Sequence, residues 1–231
     1  MVKPALETLK GAMVSIHMDE GKESRFESSE TVSMFPTFVW KTQLKAGVHR
    51  AIDRSIVNTL EEMRRDMEEL RPGEAWQSGQ ELQRLTAFDD LVSRIHDTAS
   101  VVLRFLGVSH DGFDITACWA NVNAPGASHK PHSHPNNYVS GVYYVQTHEG
   151  ADVINFHDPR PQTSVIRPPV AELTAVNTDQ VVLKVKNGTL LLFPSWLEHS
   201  VPPNRSNEPR ISVSYNIMFS AFAEKMSKPL W

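Results

Sequence analysis

His132-Ser-His134-Pro-Asn-Asn-Tyr138-Val-Ser-Gly-Val-Tyr143-Tyr144-Val145 places two imidazoles one residue apart at the head of an apolar, aromatic run. It is answered by Gly188-Thr-Leu-Leu-Leu-Phe193-Pro-Ser-Trp-Leu-Glu-His199 and then by Arg210-Ile211-Ser212. Neutral imidazole is the commonest protein ligand of first-row transition metals, and residues i and i+2 of a strand share a face. His132 and His134 can therefore point at one ion, with His199 supplied from a neighbouring strand. Arg210 and Ser212 sit two apart on what reads as one strand face, where a guanidinium fork and a hydroxyl make a clamp for a carboxylate. With ten histidines in the chain, a chance His-x-His in a surface loop is the plain competing explanation for the pair. It weakens once the downstream histidine and the arginine are added.

Outward from these stretches, residues after Gly112 form short runs rich in Val, Ile, Tyr, Phe and Trp, broken by Pro, Gly and Asn. The strands expected are Asp114–Asn123, Tyr138–Gln146, Asp152–His157, Ser164–Arg167, Gln180–Val185, Thr189–Pro194 and Ile211–Phe219. His132 and His134 then lie in a Pro-rich entry to the second of these, and His199 follows the sixth through Pro194-Ser195-Trp196. So many closely spaced strands predict a mainly β fold, a barrel or jelly roll. Upstream, Ile52, Ile56, Leu60, Met63 and Met67 recur at helical spacing and predict a helix from about Gly47 to Leu70, stopped by Pro72-Gly73. Leu91, Ile95, Val102 and Phe105 predict a second, from about Phe88 to Leu106. Both helices are expected to cover the sheet. Met34-Phe-Pro-Thr-Phe-Val-Trp40 has strand composition, with Pro36 implying an edge.

The chain has 231 residues, 40% hydrophobic and 22% charged, with a formal net charge of −4. It is long enough for one substantial core, and the expected organisation is a polar, flexible arm over 1–32 followed by a single domain over 33–231. Within that domain the helical cover spans about 47–107 and the β core about 113–221. No Lys/Arg block recommends nucleic acid or an anionic membrane as partner. Cys118 is the only cysteine, so neither a disulfide framework nor a thiolate metal site exists within the chain. No apolar stretch near the start is long enough for a signal peptide or membrane span, which points to the cytoplasm. A homodimer is compatible with everything in the sequence.

The tract ending in His199, followed by Arg210-x-Ser212, resembles the last iron-ligand histidine and the co-substrate motif of the non-haem iron and 2-oxoglutarate dependent oxygenases. The upstream segment with Ser140-Gly-Val-Tyr-Tyr144 resembles a bacterial and phage subgroup of that superfamily, as do Trp119-Ala-Asn121 and Phe156-His-Asp158-Pro-Arg160. The resemblance covers about residues 33–220. It implies a double-stranded β-helix (jelly-roll, cupin-like) barrel using Fe(II), 2-oxoglutarate and O2 to oxidise a small-molecule or peptide substrate, with release of succinate and CO2. His132, His134 and His199 would hold the metal, and Arg210, Ser212, Tyr144 and Asn121 the co-substrate. By the same resemblance Tyr144 matches a tyrosine that hydrogen-bonds the far carboxylate of 2-oxoglutarate in prolyl-hydroxylase-like members.

One departure matters. Most of the superfamily place a carboxylate where this chain has His134, so the shell is three histidines, or Asp158 supplies a carboxylate from another strand, or only one of the His pair binds. The literal His17-Met-Asp19 lies in the polar arm and is a poor candidate. Two other readings stay open: a cupin that does not use 2-oxoglutarate, and a non-catalytic barrel carrying a structural zinc. Against the cupin, the expected glutamate after His-x-His is replaced by Asn136-Asn137-Tyr138-Val139, and Arg210-x-Ser212 would have no task. Trp40, Trp76 and Trp119 are read as packing residues and Trp196, beside His199, as an even choice between packing and substrate platform. The expected covers, 72–84 and 160–180, carry no recognisable chemistry.

Overall fold

The computed structural model describes residues 34–160 and 168–223, together with Ser28, Val32, Val165 and Ile166. Val39–Trp231 forms one compact unit and Met1–Phe38 another. Apart from Ser28 and Val32, the arm over 1–32, with its His17-Met-Asp19, lies outside the described residues. The first unit's Met34 and Phe35 are exposed, and Phe35 takes a positive φ of 55°. The strand expected over Met34–Trp40 is therefore displaced: β1 runs Trp40–Gln43, where the chain finds β8 to pair with.

Among the described residues, ten strands form two antiparallel sheets. A six-stranded sheet has the order β1-β8-β5-β10-β3-β2, and a four-stranded sheet the order β4-β9-β6-β7. Their ranges are β2 Ala75–Gln77, β3 Phe113–Asn123, β4 His129–His132, β5 Val139–Gln146, β6 Val153–His157, β7 Gln180–Lys184, β8 Thr189–Pro194, β9 His199–Val201 and β10 Arg210–Phe219. This is the double-stranded β-helix. The long predicted strands are present to within a residue at each end. Of the strand expected over Ser164–Arg167, the two described residues, Val165 and Ile166, are exposed and belong to no strand.

Strand alternation divides the larger sheet into two chemical faces. Cys118, Ala120 and Val122 of β3, Tyr143 and Val145 of β5, Leu190 and Leu192 of β8, and Val213, Tyr215 and Ile217 of β10 all turn to the helices. There they meet α1 (Ala46–Met63) through Ile52, Ile56 and Leu60, and α2 (Asp89–Phe105) through Leu91, Ile95, Ala99 and Val102. The intervening residues of the same strands turn to the smaller sheet, where Val142, Tyr144, Leu191 and Phe193 pack with Ile154 and Phe156. Helix α1 stops at Met63 rather than Leu70. Met63 and Met67 are exposed, so the methionines that extended the predicted helix bury little, and Arg64 N–H closes the helix on the Leu60 and Glu61 carbonyls. A short α3 (Ser220–Ala223) follows β10.

Close approach between elements fixes two glycines. A Cβ on Gly141 would lie 2.3 Å from Tyr215 Cζ and 2.4 Å from the Leu191 carbonyl oxygen, which accepts the Tyr215 hydroxyl at 2.8 Å. Gly188 has φ +76°, and a Cβ there would stand 2.5 Å from the His49 ring of α1. Beside it His49 Nδ1 and Tyr143 Oη both bond the Asp53 carboxylate, at 2.8 and 2.7 Å, and tie α1 to the sheet.

Candidate functional site

The pocket lies between the two sheets, about 400 Å3 including its open mouth, and its polar wall on the larger sheet comes from alternate positions on neighbouring strands. On β10 these are Arg210, Ser212 and Ser214. Across the ladder, Arg210 pairs with Asn123, Ser212 with Asn121 on one side and Tyr144 on the other, and Ser214 with Trp119 and Val142. Asn121, Ser212 and Tyr144 thus form one row across β3, β10 and β5, and the register of the ladder brings all three to the pocket.

The smaller sheet contributes the histidines. His132 does not head the strand Val139–Gln146 as expected; it ends a separate strand, β4, and pairs directly with His199 on β9. His134 lies just beyond, its N–H donating to the Ser195 carbonyl at 2.9 Å. That carbonyl belongs to a residue whose hydroxyl continues a buried chain, Ser195 Oγ to Ser140 Oγ at 2.8 Å and Ser140 Oγ donating to Asn216 Oδ1 at 2.7 Å. Asn136, at φ 63°, turns the backbone sharply after the pair, and Thr116 donates to Asn137 Oδ1 at 2.7 Å to hold the turn.

One nitrogen from each of His132, His134 and His199 lies within 4.8 Å of the others, the only such cluster of potential metal ligands among the described residues. Nε2 of His134 and Nε2 of His199 are 3.3 Å apart. His132 Nδ1 donates to the Lys130 carbonyl at 2.7 Å and His199 Nδ1 to the Leu197 carbonyl at 3.0 Å. Each carbonyl fixes the proton on Nδ1 and leaves the Nε2 lone pair of its ring for a cation. Burial pushes His134 down to about 4 and His199 to about 3, with the neighbouring histidines adding to the depression. Both are neutral at physiological pH, the form in which imidazole binds metal. Phe193 packs edge-on against His199 at 4.7 Å between centroids, and Ile154 completes an apolar wall. Asp158 is not in the cluster; its carboxylate is held by Arg160 at 2.7 Å, which keeps its pKa below the ordinary carboxylate range.

Arg210 is 3% exposed. Its Nε is fully buried without a hydrogen-bond partner, no ion pair to it exists among the described residues, and no Asp or Glu lines the pocket. Burial lowers its pKa, and the nearby Tyr144 phenol opposes the shift. A buried guanidinium facing a cavity without an anion is costly by itself and is satisfied by an anionic ligand. Tyr144 is completely enclosed and its phenol is pushed up to about 12, so it is a hydrogen-bond donor there. Asn121 Nδ2 donates to Ser214 Oγ at 3.2 Å.

His132, His134, His199, Arg210, Ser212, Tyr144 and Asn121, singled out in the sequence for metal and co-substrate, all line this one pocket, whereas the alternative ligand Asp158 does not. Trp119 stacks obliquely near His134 at 5.7 Å, while Trp196 is 57% exposed and does not line the pocket. Sequence reasoning missed His129, Ser214 and Asn123. His129 lines the pocket because the ladder slips between His129 and His132: three steps on β4 match two on β9, and the extra residue turns both rings to one side. Asn123 stands behind it, donating from Nδ2 to His129 Nε2 at 2.9 Å. The signal available was the Asn121-x-Asn123 alternation on an otherwise apolar strand.

Residues 117–216 match the family described as "Putative 2OG-Fe(II) oxygenase". No curated protein sequence matches the chain. Among solved structures, the non-heme alpha ketoglutarate dependent carbocyclase SnoK from nogalamycin biosynthesis is similar at 12% identity, with 80% of each chain covered and a TM-score of 0.57. A Pseudomonas putida prolyl-4-hydroxylase is similar at 15% identity, covering 79% of this chain and 93% of that one, with a TM-score of 0.54. A prolyl hydroxylase from Trichoplax adhaerens, solved with a hypoxia inducible factor peptide fragment, is 13% identical, with 82% and 87% covered and a TM-score of 0.56. At these identities the likeness is one of fold.

Proposed function

Because the chain carries a 2-oxoglutarate- and Fe(II)-dependent oxygenase domain, we propose that His132, His134 and His199 are its metal ligands and that Arg210, Ser212, Tyr144 and Asn121 receive 2-oxoglutarate. The protein is an oxidoreductase of the 2-oxoglutarate-dependent dioxygenase class, using Fe(II), 2-oxoglutarate and O2. The observation that carries the co-substrate assignment is the buried, unpartnered Arg210 at the inner end of a pocket without acids. A cupin or a structural zinc site has no use for such a cation, and a structural zinc is ordinarily closed by four protein ligands where this cluster offers three.

When bound, ferrous iron supplies oxidative decarboxylation of 2-oxoglutarate to succinate and CO2, coupled to oxidation of a substrate C–H bond, usually hydroxylation. The chain's own part is placement. Lys130 and Leu197 carbonyls orient two of the three imidazoles, Arg210 and Ser212 fix the distal carboxylate, and the Phe193–Ile154 wall limits water at the reacting centre. A shell of three neutral histidines leaves the metal's full charge uncompensated, which strengthens its hold on an anionic chelate. The substrate belongs to the small-molecule or peptide class, and the enzyme acts in the cytoplasm as a monomer or homodimer without nucleic acid or membrane partners. No helix among the described residues is long and apolar enough to cross a membrane.

The test is anaerobic addition of Fe(II) and then 2-oxoglutarate to metal-free protein, following the weak visible charge-transfer band of the chelate. A band that needs both additions and fades in Arg210→Ala supports the assignment. Iron binding without a band overturns it in favour of a metal site that does not use 2-oxoglutarate.

A further inference from the structure

The inner end of the pocket is approached from the larger sheet by Arg210, Ser212 and Tyr144, and from the smaller sheet by one polar side chain outside the histidine cluster, His129. Asn123 Nδ2 donates to His129 Nε2 at 2.9 Å, which leaves the single proton of the neutral ring on Nδ1. Among the described residues no protein group accepts that proton. Asn123 is itself the cross-strand partner of Arg210 and is 1% exposed, with Oδ1 buried and unpaired. Arg210 is close enough to help depress the His129 pKa, after burial, to about 4, so the ring is neutral at physiological pH. The end of the pocket therefore presents N–H and O–H donors from both sheets and no carboxylate, with Arg210 Nε buried and unsatisfied.

We propose that His129 is a further co-substrate-binding residue, held by Asn123 beside Arg210 so that its Nδ1–H donates to the distal carboxylate of a five-carbon 2-oxo diacid. The inference rests on the assignment of 2-oxoglutarate to this pocket and adds a contact from the opposite sheet. It has a consequence for selectivity. With β10 gripping the carboxylate from one side and β4 from the other, the distance from the metal cluster to the far carboxylate is set by two sheets rather than one strand. Acids one carbon shorter or longer then lose a donor.

The experiment is calorimetric titration of the Mn(II)-loaded full-length protein with 2-oxoglutarate and, separately, with 2-oxobutyrate, which has the same keto acid head and no distal carboxylate. His129→Ala is expected to weaken 2-oxoglutarate at least about tenfold, the size expected for a hydrogen bond to a charged group. It should leave 2-oxobutyrate and Mn(II) affinity unchanged. His129→Gln, which keeps a donor, recovers part of the loss, and Asn123→Ala reproduces it in milder form with 2-oxobutyrate again unaffected. A merely structural role would move both acids together. Equal loss for the two acids, or no loss for either, overturns the proposal. Failure of the wild type to bind 2-oxoglutarate at all removes the underlying assignment instead, and Arg210→Ala in the same series separates the two cases: loss there with none in His129→Ala refutes only the role of His129.

Discussion

Replacing Arg210 by methionine should make the ligand-free protein more stable and the co-substrate complex weaker, two effects of opposite sign from one side chain. The guanidinium is 3% exposed and no protein anion faces it, so the ligand-free fold bears a desolvation cost with no matching attraction. Methionine has similar length, fills the same space between β3 and β5, and removes the charge. Substituting apolar residues for buried ionic groups typically ranges from neutral to a gain of about 1–4 kcal/mol. For a domain of this size each kcal/mol corresponds to roughly 2–4 °C in Tm. Against that, truncating one partner of a buried, hydrogen-bonded charge pair costs about 2–5 kcal/mol, which is about 30-fold to several thousand-fold in affinity. Differential scanning fluorimetry of the Mn(II)-loaded protein with and without 2-oxoglutarate reads both effects together. The wild type should gain stability with co-substrate according to its occupancy, whereas Arg210→Met should start higher and gain almost nothing. A lower starting Tm combined with an undiminished 2-oxoglutarate shift would refute the reasoning. It would mean that Arg210 is a satisfied structural cation and that the carboxylate is held elsewhere.

Three further outcomes are expected. His199→Ala should lower Fe(II) or Mn(II) affinity by more than about 100-fold, since loss of a ligand exceeds the 10–100-fold cost of disturbing groups behind one, while Asp158→Ala should leave it within about twofold; a large effect of Asp158 by metal titration would restore the carboxylate alternative. Gly141→Ala drives a Cβ against a backbone carbonyl and the Tyr215 ring and should destabilise by about 2 kcal/mol or more, seen as a Tm drop of at least about 4 °C; an unchanged Tm would show that β5 and β8 can part at no cost. The metal-free protein should lose stability on acidification. His129, His134 and His199 have folded pKa values near 4, 4 and 3, below the unfolded value of about 6.5, so the unfolded chain binds more protons as pH falls through that window. Stability is full above about 6.5 and declines by about 1.4 kcal/mol per pH unit for each such histidine until the folded values are reached; a flat urea midpoint from pH 7 to 5 would contradict the burial of these rings.

Much of this site was legible because it is written in strand alternation. Arg210, Ser212, Ser214 and Asn216 fall on every second position of β10, with Ile211, Val213, Tyr215 and Ile217 between them. A polar face on so apolar a strand announces a cavity rather than solvent. The strands β4 and β9 were not legible as strands. His129-Lys-Pro-His132 has no β-branched or aromatic residue, and its pairing comes from β9 across a slip in the ladder that no local pattern encodes. His129 was lost with it, as a three-residue offset from His132 puts two side chains on opposite faces unless a bulge intervenes. The end of α1 was misplaced for a different reason: the methionines at 63 and 67 keep helical spacing but find no partner surface. The buried Ser195–Ser140–Asn216 chain joins residues 55 and 76 positions apart and leaves no local trace.

The two-faced character of β10 also makes that strand intolerant to changes of length. Its odd-numbered residues from 211 to 217 are built into the packing against the helices and its even-numbered ones from 210 to 214 into the pocket wall. Deleting or adding one residue in the middle of the strand would exchange the two sets on one side of the edit; with the downstream half held in register, Arg210 would turn toward oil and Ile211 toward the pocket. Substitutions can vary the pocket one side chain at a time without disturbing the scaffold; frame changes damage both together. Variation among proteins built this way should therefore accumulate as replacements within β10, with insertions diverted to the connections between β6 and β7 and between β9 and β10.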